Sequence, residues 1–98
     1  MDYDAVSAIC KALGSPIRLK IVKQLTRGET CACELLKNLT ISQPTLSHHM
    51  RILKACHLIV ERRDWKWSYY TLDCTTLTAF RTYIAALDCK QSKGAIHG

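Results

Sequence analysis

No apolar run in this 98-residue chain approaches the roughly 20 residues of a membrane-spanning helix. The opening residues, Met1-Asp2-Tyr3-Asp4, are acidic and lead straight into a helical pattern, so no secretory signal is expected. A Cys-x-x-Cys motif is missing, as are a phosphate-binding loop and an evident base beside a nucleophile. A thiol enzyme therefore finds no support. There is no internal repeat, and no linker that would split the chain. One domain with a modest core is expected over residues 1–90, with a flexible C-terminal tail at 91–98.

Cysteine and positive charge are what the chain does have. Six cysteines in a short sequence can mean a disulfide scaffold. The apolar periodicity is ample for folding without such staples, so a reducing cytoplasm is expected. There, thiols serve as core filler, metal ligands or redox sensors. Lys and Arg total 14 against 8 acids, a net charge of +6. That balance suits a polyanionic partner, but it equally suits plain solubility.

Residues 3–13 have helical spacing, with Val6, Ile9, Cys10 and Leu13 on one face. Gly14 ends that helix, and Ser15 caps the next, with Pro16 in its first turn. Ile17, Ile21, Val22 and Leu25 form the buried face of the second helix, while Arg18, Lys20 and Lys23 stay in water. Gly28 stops it. Thr30 is placed to cap a third helix running to about Leu39. Ser42 caps a fourth, in which Leu46, Met50 and Leu53 point inward. Then the period changes, and Ile59–Arg63 and Trp67–Leu72 read as two strands around the turn Asp64-Trp65-Lys66. Asp73 caps a last helix in which Leu77, Phe80, Ile84 and Leu87 repeat.

The order helix, helix, helix, helix, hairpin, helix is that of a winged helix-turn-helix, mainly α with a β-hairpin. The outer helices carry apolar stripes that a lone small domain cannot easily cover. They are expected to pair with the same helices of a second copy, giving a homodimer.

A helix fits the major groove of double-stranded DNA, with short polar side chains near its N-terminus reaching base edges. Gln43, Thr45, Ser47 and His48 suit that role, Ser42 and the helix N-terminus suit a phosphate, and Arg51 and Lys54 add contacts. On the hairpin, Arg62, Arg63 and Lys66 are placed for phosphates or the adjacent minor groove. A solvated polar helix beside a charged hairpin is the bland alternative. It loses weight because both occur in this order and the hairpin's charges cluster at its tip. His49 reads as leaning toward the core edge.

Cys31 and Cys33 stand one residue apart, ahead of that helix. By themselves they can be metal ligands or small buried side chains. If Thr30 caps, both lie in a helical first turn, whose partial positive charge favours thiolate. At about 100° per residue, i and i+2 point to nearly opposite sides. One ion could then be held by both sulfurs only if that turn unwound.

These residues resemble the ArsR/SmtB repressors. The resemblance runs through Leu13-Gly14-Ser15-Pro16-Ile17-Arg18-Leu19, Glu29-Thr30-Cys31-Ala32-Cys33-Glu34-Leu35, Ser42-Gln43-Pro44-Thr45-Leu46-Ser47-His48-His49-Met50 and Lys66-Trp67-Ser68-Tyr69-Tyr70-Thr71-Leu72. It covers roughly residues 5 to 85 and implies a homodimeric repressor that leaves its operator on binding a toxic ion. The Cys31–Leu35 segment resembles the arsenical-resistance branch, which implies As(III) or Sb(III) as inducer at Cys31 and Cys33, with no cofactor needed for folding. It also resembles the branch that senses Cd(II) and Pb(II). A thiol-redox repressor of the same fold is a further rival, and so is a winged-helix module that binds protein.

Three positions depart from the family pattern. Leu36 stands where many arsenic sensors place a third cysteine, so a third ligand is open, with Cys10 of the first helix a candidate. His57 stands where Gly often follows the recognition helix, but His tolerates the left-handed region. Trp65 stands at a wing tip that often carries Gly, where it can pack on a sugar or cover its own hairpin. Zinc sensing through the last helix, a mode of this family that uses His and acids, fits poorly, because residues 75–90 hold no His and only Asp88.

Overall fold

Local signals start most of the helices. In the computed structural model, which describes residues 1–90, α1 spans Tyr3–Leu13 and α2 Pro16–Leu25. A two-residue strand β1 (Thr30–Cys31) leads into α3 (Ala32–Leu39) and α4 (Gln43–Ala55). Strands β2 (Ile59–Asp64) and β3 (Trp67–Leu72) form the wing, and α5 spans Cys74–Ala85. Asp2, Ser15, Ser42 and Asp73 each accept a first-turn backbone N–H, at 2.8, 3.4, 3.3 and 3.1 Å. Such caps contribute about 1 kcal/mol each. The tail expected at 91–98 lies outside the described residues.

The core gathers one face from each of α1 to α4 and from β2 and β3. Ile9, Ile21, Leu35, Met50, Leu53 and Leu58 are its largest fully buried side chains. On α1 the buried set is Val6, Ile9 and Ala12. Cys10, expected on that stripe, is exposed instead. Val6, Ile9 and Leu13 keep their inward places, and Ala12, fully buried, completes the face.

His57 does adopt the left-handed region, at φ 64°. Its N–H donates to Lys54 O at 2.9 Å, and Leu58 N–H to Leu53 O at 3.1 Å. That pair of bonds is the Schellman ending of α4, and buried Leu53 and Leu58 supply its apolar contact.

The sheet has three strands in the order β1-β3-β2, not the two of a simple hairpin. All pairings are antiparallel. Tyr69 faces Cys31 on one side and Arg62 on the other, while Tyr70 faces Thr30 and Glu61. At the wing tip Trp65 has φ 60° and is 80 % exposed, so it does not cover its own hairpin. Only the first of the two turn residues has positive φ, the position where a type II′ turn prefers glycine.

Helix α5 has no buried residue. Leu77 and Phe80 pack partly on the core, but Ile84 and Leu87 of the predicted stripe are exposed, as is Tyr3 of α1. The two outer helices thus leave apolar surface uncovered.

Candidate DNA-binding face and thiol pair

Because Leu46, Met50 and Leu53 turn inward, the opposite face of α4 is open. Ser42, Gln43, Thr45, Ser47, His48, Arg51 and Lys54 are all exposed there. Ser42 Oγ donates to Thr45 Oγ1 at 2.8 Å as well as capping the helix. Gln43, Ser47, Arg51 and Lys54 share a groove with Arg63 and Ser68 of the wing. Four of the residues expected to face DNA on α4 are therefore brought together with Arg63, while Ser42, Thr45, His48, Arg62 and Lys66 do not line that groove.

Several of the cations in this set already have partners. Lys54 Nζ donates to Glu61 at 2.6 Å. Glu61 also accepts from Ser68 Oγ at 2.7 Å and lies 3.6 Å from Arg63. The Lys54 and Ser68 hydrogen bonds hold its carboxyl below the usual range. Lys66 Nζ sits over its tip neighbours, 4.9 Å from the Trp65 ring and 5.4 Å from Trp67. Arg62 is gripped bidentately by Glu29, at 3.0 and 2.9 Å, and lies 4.5 Å from the Tyr69 ring centroid. That grip is the first cause of Glu29's lowered pKa.

His49, half-buried, does lean away from the open face. Its Nδ1 is 3.0 Å from Arg18 Nη1. Guanidinium only donates, so Nδ1 must be the acceptor and the ring neutral. Burial first, then Arg18 and His48, push its pKa down. Arg18 is not simply in water, as its place on α2 predicts. Its Nε donates to Ala12 O at 2.6 Å and its Nη2 to Lys11 O at 3.5 Å, satisfying carbonyls at the end of α1.

The thiol pair departs from its predicted geometry. Thr30 is not the cap of α3. It belongs to β1, and its hydroxyl donates to Gly28 O at 3.1 Å. Cys31 is the N-cap, in extended backbone (φ −79°, ψ 156°), and only Cys33 lies inside the first turn. The opposed directions of a regular helix therefore do not apply. The Cα atoms are 5.4 Å apart and the sulfurs are joined as a disulfide, with the helix regular from Ala32. The expectation of a first turn that must unwind to bring the sulfurs together is corrected. Cys33 is exposed and Cys31 half-buried.

Among the described residues no three His, Cys, Asp or Glu side chains converge as a metal site, so Cys10 does not complete the pair within one chain. Cys56 is buried, its thiol donates to Leu53 O at 3.4 Å, and burial pushes its pKa up. That suits packing rather than ligation. Cys74 and Cys89 are exposed.

A family profile described as "Bacterial regulatory protein, arsR family" matches residues 15–60, which run from the cap of α2 into β2. The arsenical resistance operon repressor of Staphylococcus xylosus is 44% identical over 73 residues, covering 74% of this chain and 70% of that protein. The chain belongs to the ArsR family. The fold agrees. An ArsR-like transcriptional regulator from Rhodococcus sp. RHA1 superposes with a TM-score of 0.77 at 21% identity, over 87% of this chain and 80% of that one. A possible transcriptional regulator for arsenical resistance superposes at 0.71 with 29% identity, over 78% and 79%.

This ArsR-family chain is thus a transcriptional repressor with a winged helix-turn-helix, and not an enzyme. Among the described residues no helix is long and apolar enough to cross a membrane. Sequence reasoning missed Glu29 and Glu61 as partners of the cations expected to face DNA, and Arg18 as the partner of His49. Glu29 carried a faint signal, since it adjoins the Cys31 motif.

Proposed function

We propose that two copies of this chain, paired through α1 and α5, repress a promoter in the cytoplasm and release it when As(III) or Sb(III) binds Cys31 and Cys33. Base edges are read by Gln43, Thr45, Ser47 and His48, and phosphates are met by Ser42, Arg51, Lys54, Arg62, Arg63 and Lys66. The observation that carries this reading is the meeting of two sulfurs at the start of α3, a helix that packs on α4.

Trivalent arsenic is a soft centre with a lone pair, so sulfur ligands in a pyramid suit it. Arsenous acid, As(OH)3, exchanges two hydroxyls for the two reduced thiols and gives two waters. The remaining hydroxide, an external thiol, or Cys10 of the second copy fills the third place. Release follows if the bound ion favours the state with lower DNA affinity.

The test is fluorescence anisotropy of the protein on a duplex of its own promoter, titrated with arsenite, antimonite, Cd(II), Pb(II), Zn(II) and peroxide. Arsenite should release the reduced protein. Cys31→Ser and Cys33→Ser should bind DNA normally and stay bound in arsenite. Normal release from both variants discards the site.

A second reading is favoured by the disulfide itself: oxidation of Cys31 and Cys33 can be the inducing event. Peroxide would then release the promoter while arsenite, added to fully reduced protein, would not.

A further inference from the structure

Cys31 and the wing arginine Arg62 are neighbours of the same residue. Tyr69 of β3 is the cross-strand partner of Cys31 in β1 and of Arg62 in β2. Directly opposed residues share a sheet face, and the Arg62 guanidinium does lie 4.5 Å from the Tyr69 ring. A second link runs through the chain itself. Glu29, two residues ahead of Cys31, holds Arg62 through two charge-assisted hydrogen bonds.

The segment that carries Glu29 is short, a few residues between Gly28 and α3. Gly28 precedes it with φ 125°, which other residues rarely adopt, and a Cβ there would meet nothing within 4 Å. The glycine therefore serves backbone direction, not space. Beyond it come the two residues of β1 and then α3. What happens to Cys31 thus bears directly on where the Glu29 carboxylate stands.

We propose that Glu29 and Tyr69 are positioning residues that couple the thiol pair to Arg62. With the two sulfurs closed on each other, or on one ion, β1 is held against β3 and Glu29 keeps Arg62 away from a DNA phosphate. With the sulfurs apart, the grip slackens and Arg62 turns to the phosphate. This structure, with the sulfurs joined and Arg62 gripped, corresponds to the released state. The coupling rests on the thiol pair being the sensor and goes beyond it by naming the route to the wing.

The experiment measures promoter affinity of the full reduced protein with and without arsenite, for wild type, Glu29→Gln, Tyr69→Phe, Tyr69→Leu and Cys31→Ser. An exposed, solvent-screened ion pair shifts affinity by about fivefold at most. Glu29→Gln should therefore shrink the arsenite effect by about three- to fivefold. Near-ultraviolet titration should show its thiols binding arsenite as before. Tyr69→Phe keeps the ring beneath Arg62 and should retain the wild-type effect, whereas Tyr69→Leu should shrink it as Glu29→Gln does.

An unchanged arsenite effect in Glu29→Gln overturns the coupling. Glu29 is exposed and Gln nearly isosteric, so this arm stands even if Tyr69→Leu fails to fold. If Cys31→Ser abolishes release while Glu29→Gln changes nothing, only the coupling fails. Normal release from Cys31→Ser sinks the coupling, and the same result from Cys33→Ser sinks the sensor site with it.

Discussion

Arg18→Met should show how firmly the recognition helix depends on a side chain from α2. The substitution keeps an apolar stem and removes the bonds to Ala12 O, His49 Nδ1 and Lys11 O. The first two have good length, and the third is marginal. A hydrogen bond made by a charged group contributes about 1.5–3 kcal/mol. Arg18 is only half-buried, so screening reduces this, and about 2 kcal/mol for the set is a reasonable figure. At about 4–8 °C per kcal/mol for a domain of this size, Tm should drop by about 8–16 °C. The assay is thermal and urea unfolding of reduced protein at fixed concentration, since any dimer links stability to concentration.

The pH dependence follows from His49, which must be neutral to accept from Arg18. Its pKa is lowered in the folded chain, so the unfolded chain takes up a proton first as the pH falls. Stability should decline below about pH 6.5, until the folded ring titrates too. His49→Gln keeps an acceptor and should remove that slope. A Tm change under about 2 °C in Arg18→Met, or an equal slope in His49→Gln, would refute the assignment.

Arg62→Ala and Lys66→Ala should each weaken binding to all sequences alike and make the salt slope shallower by about 0.9; a loss confined to particular bases would mean that the wing reads sequence. Glu61→Gln should tighten DNA binding by freeing Lys54 and Arg63 while costing about 0.5–1 kcal/mol of stability, measured by anisotropy and urea unfolding. Because Glu61's pKa is lowered in the folded chain, its stabilisation is present above the ordinary carboxylate pKa. It should fade as the pH falls through and below that range, a slope absent from Glu61→Gln. Met50→Ala should cost about 2–5 kcal/mol by opening a cavity beneath the recognition helix, read as a large fall in the urea midpoint.

What was legible in the chain was local. Ser15, Ser42 and Asp73 announce helix starts because a cap needs only its own next three residues. His57 marks the end of α4 because its backbone angle is decided within one turn. The inward face of α4 follows from spacing alone, and with it the open polar face. The rest depends on partners far along the sequence. Arg18 meets His49 across 31 positions, and Arg62 meets Glu29 across 33. No period or composition encodes such pairings.

Strand β1 was illegible for a related reason. Two residues carry no alternation, and they are a strand only because β3 lies beside them. Missing it misplaced the cap of α3 by one position, from Thr30 to Cys31. That single step converts two opposed thiols into two that touch.

The brevity of β1 also constrains how such a repressor can diversify. In a pleated strand every added residue turns the next side chain through to the far side. One insertion between Gly28 and Cys31 would swing the sulfur away from Tyr69 and leave a different atom at the head of α3. Chemistry at this position can therefore drift by exchange of side chains, one donor for another, while the length of the connector stays fixed like the pitch of a thread.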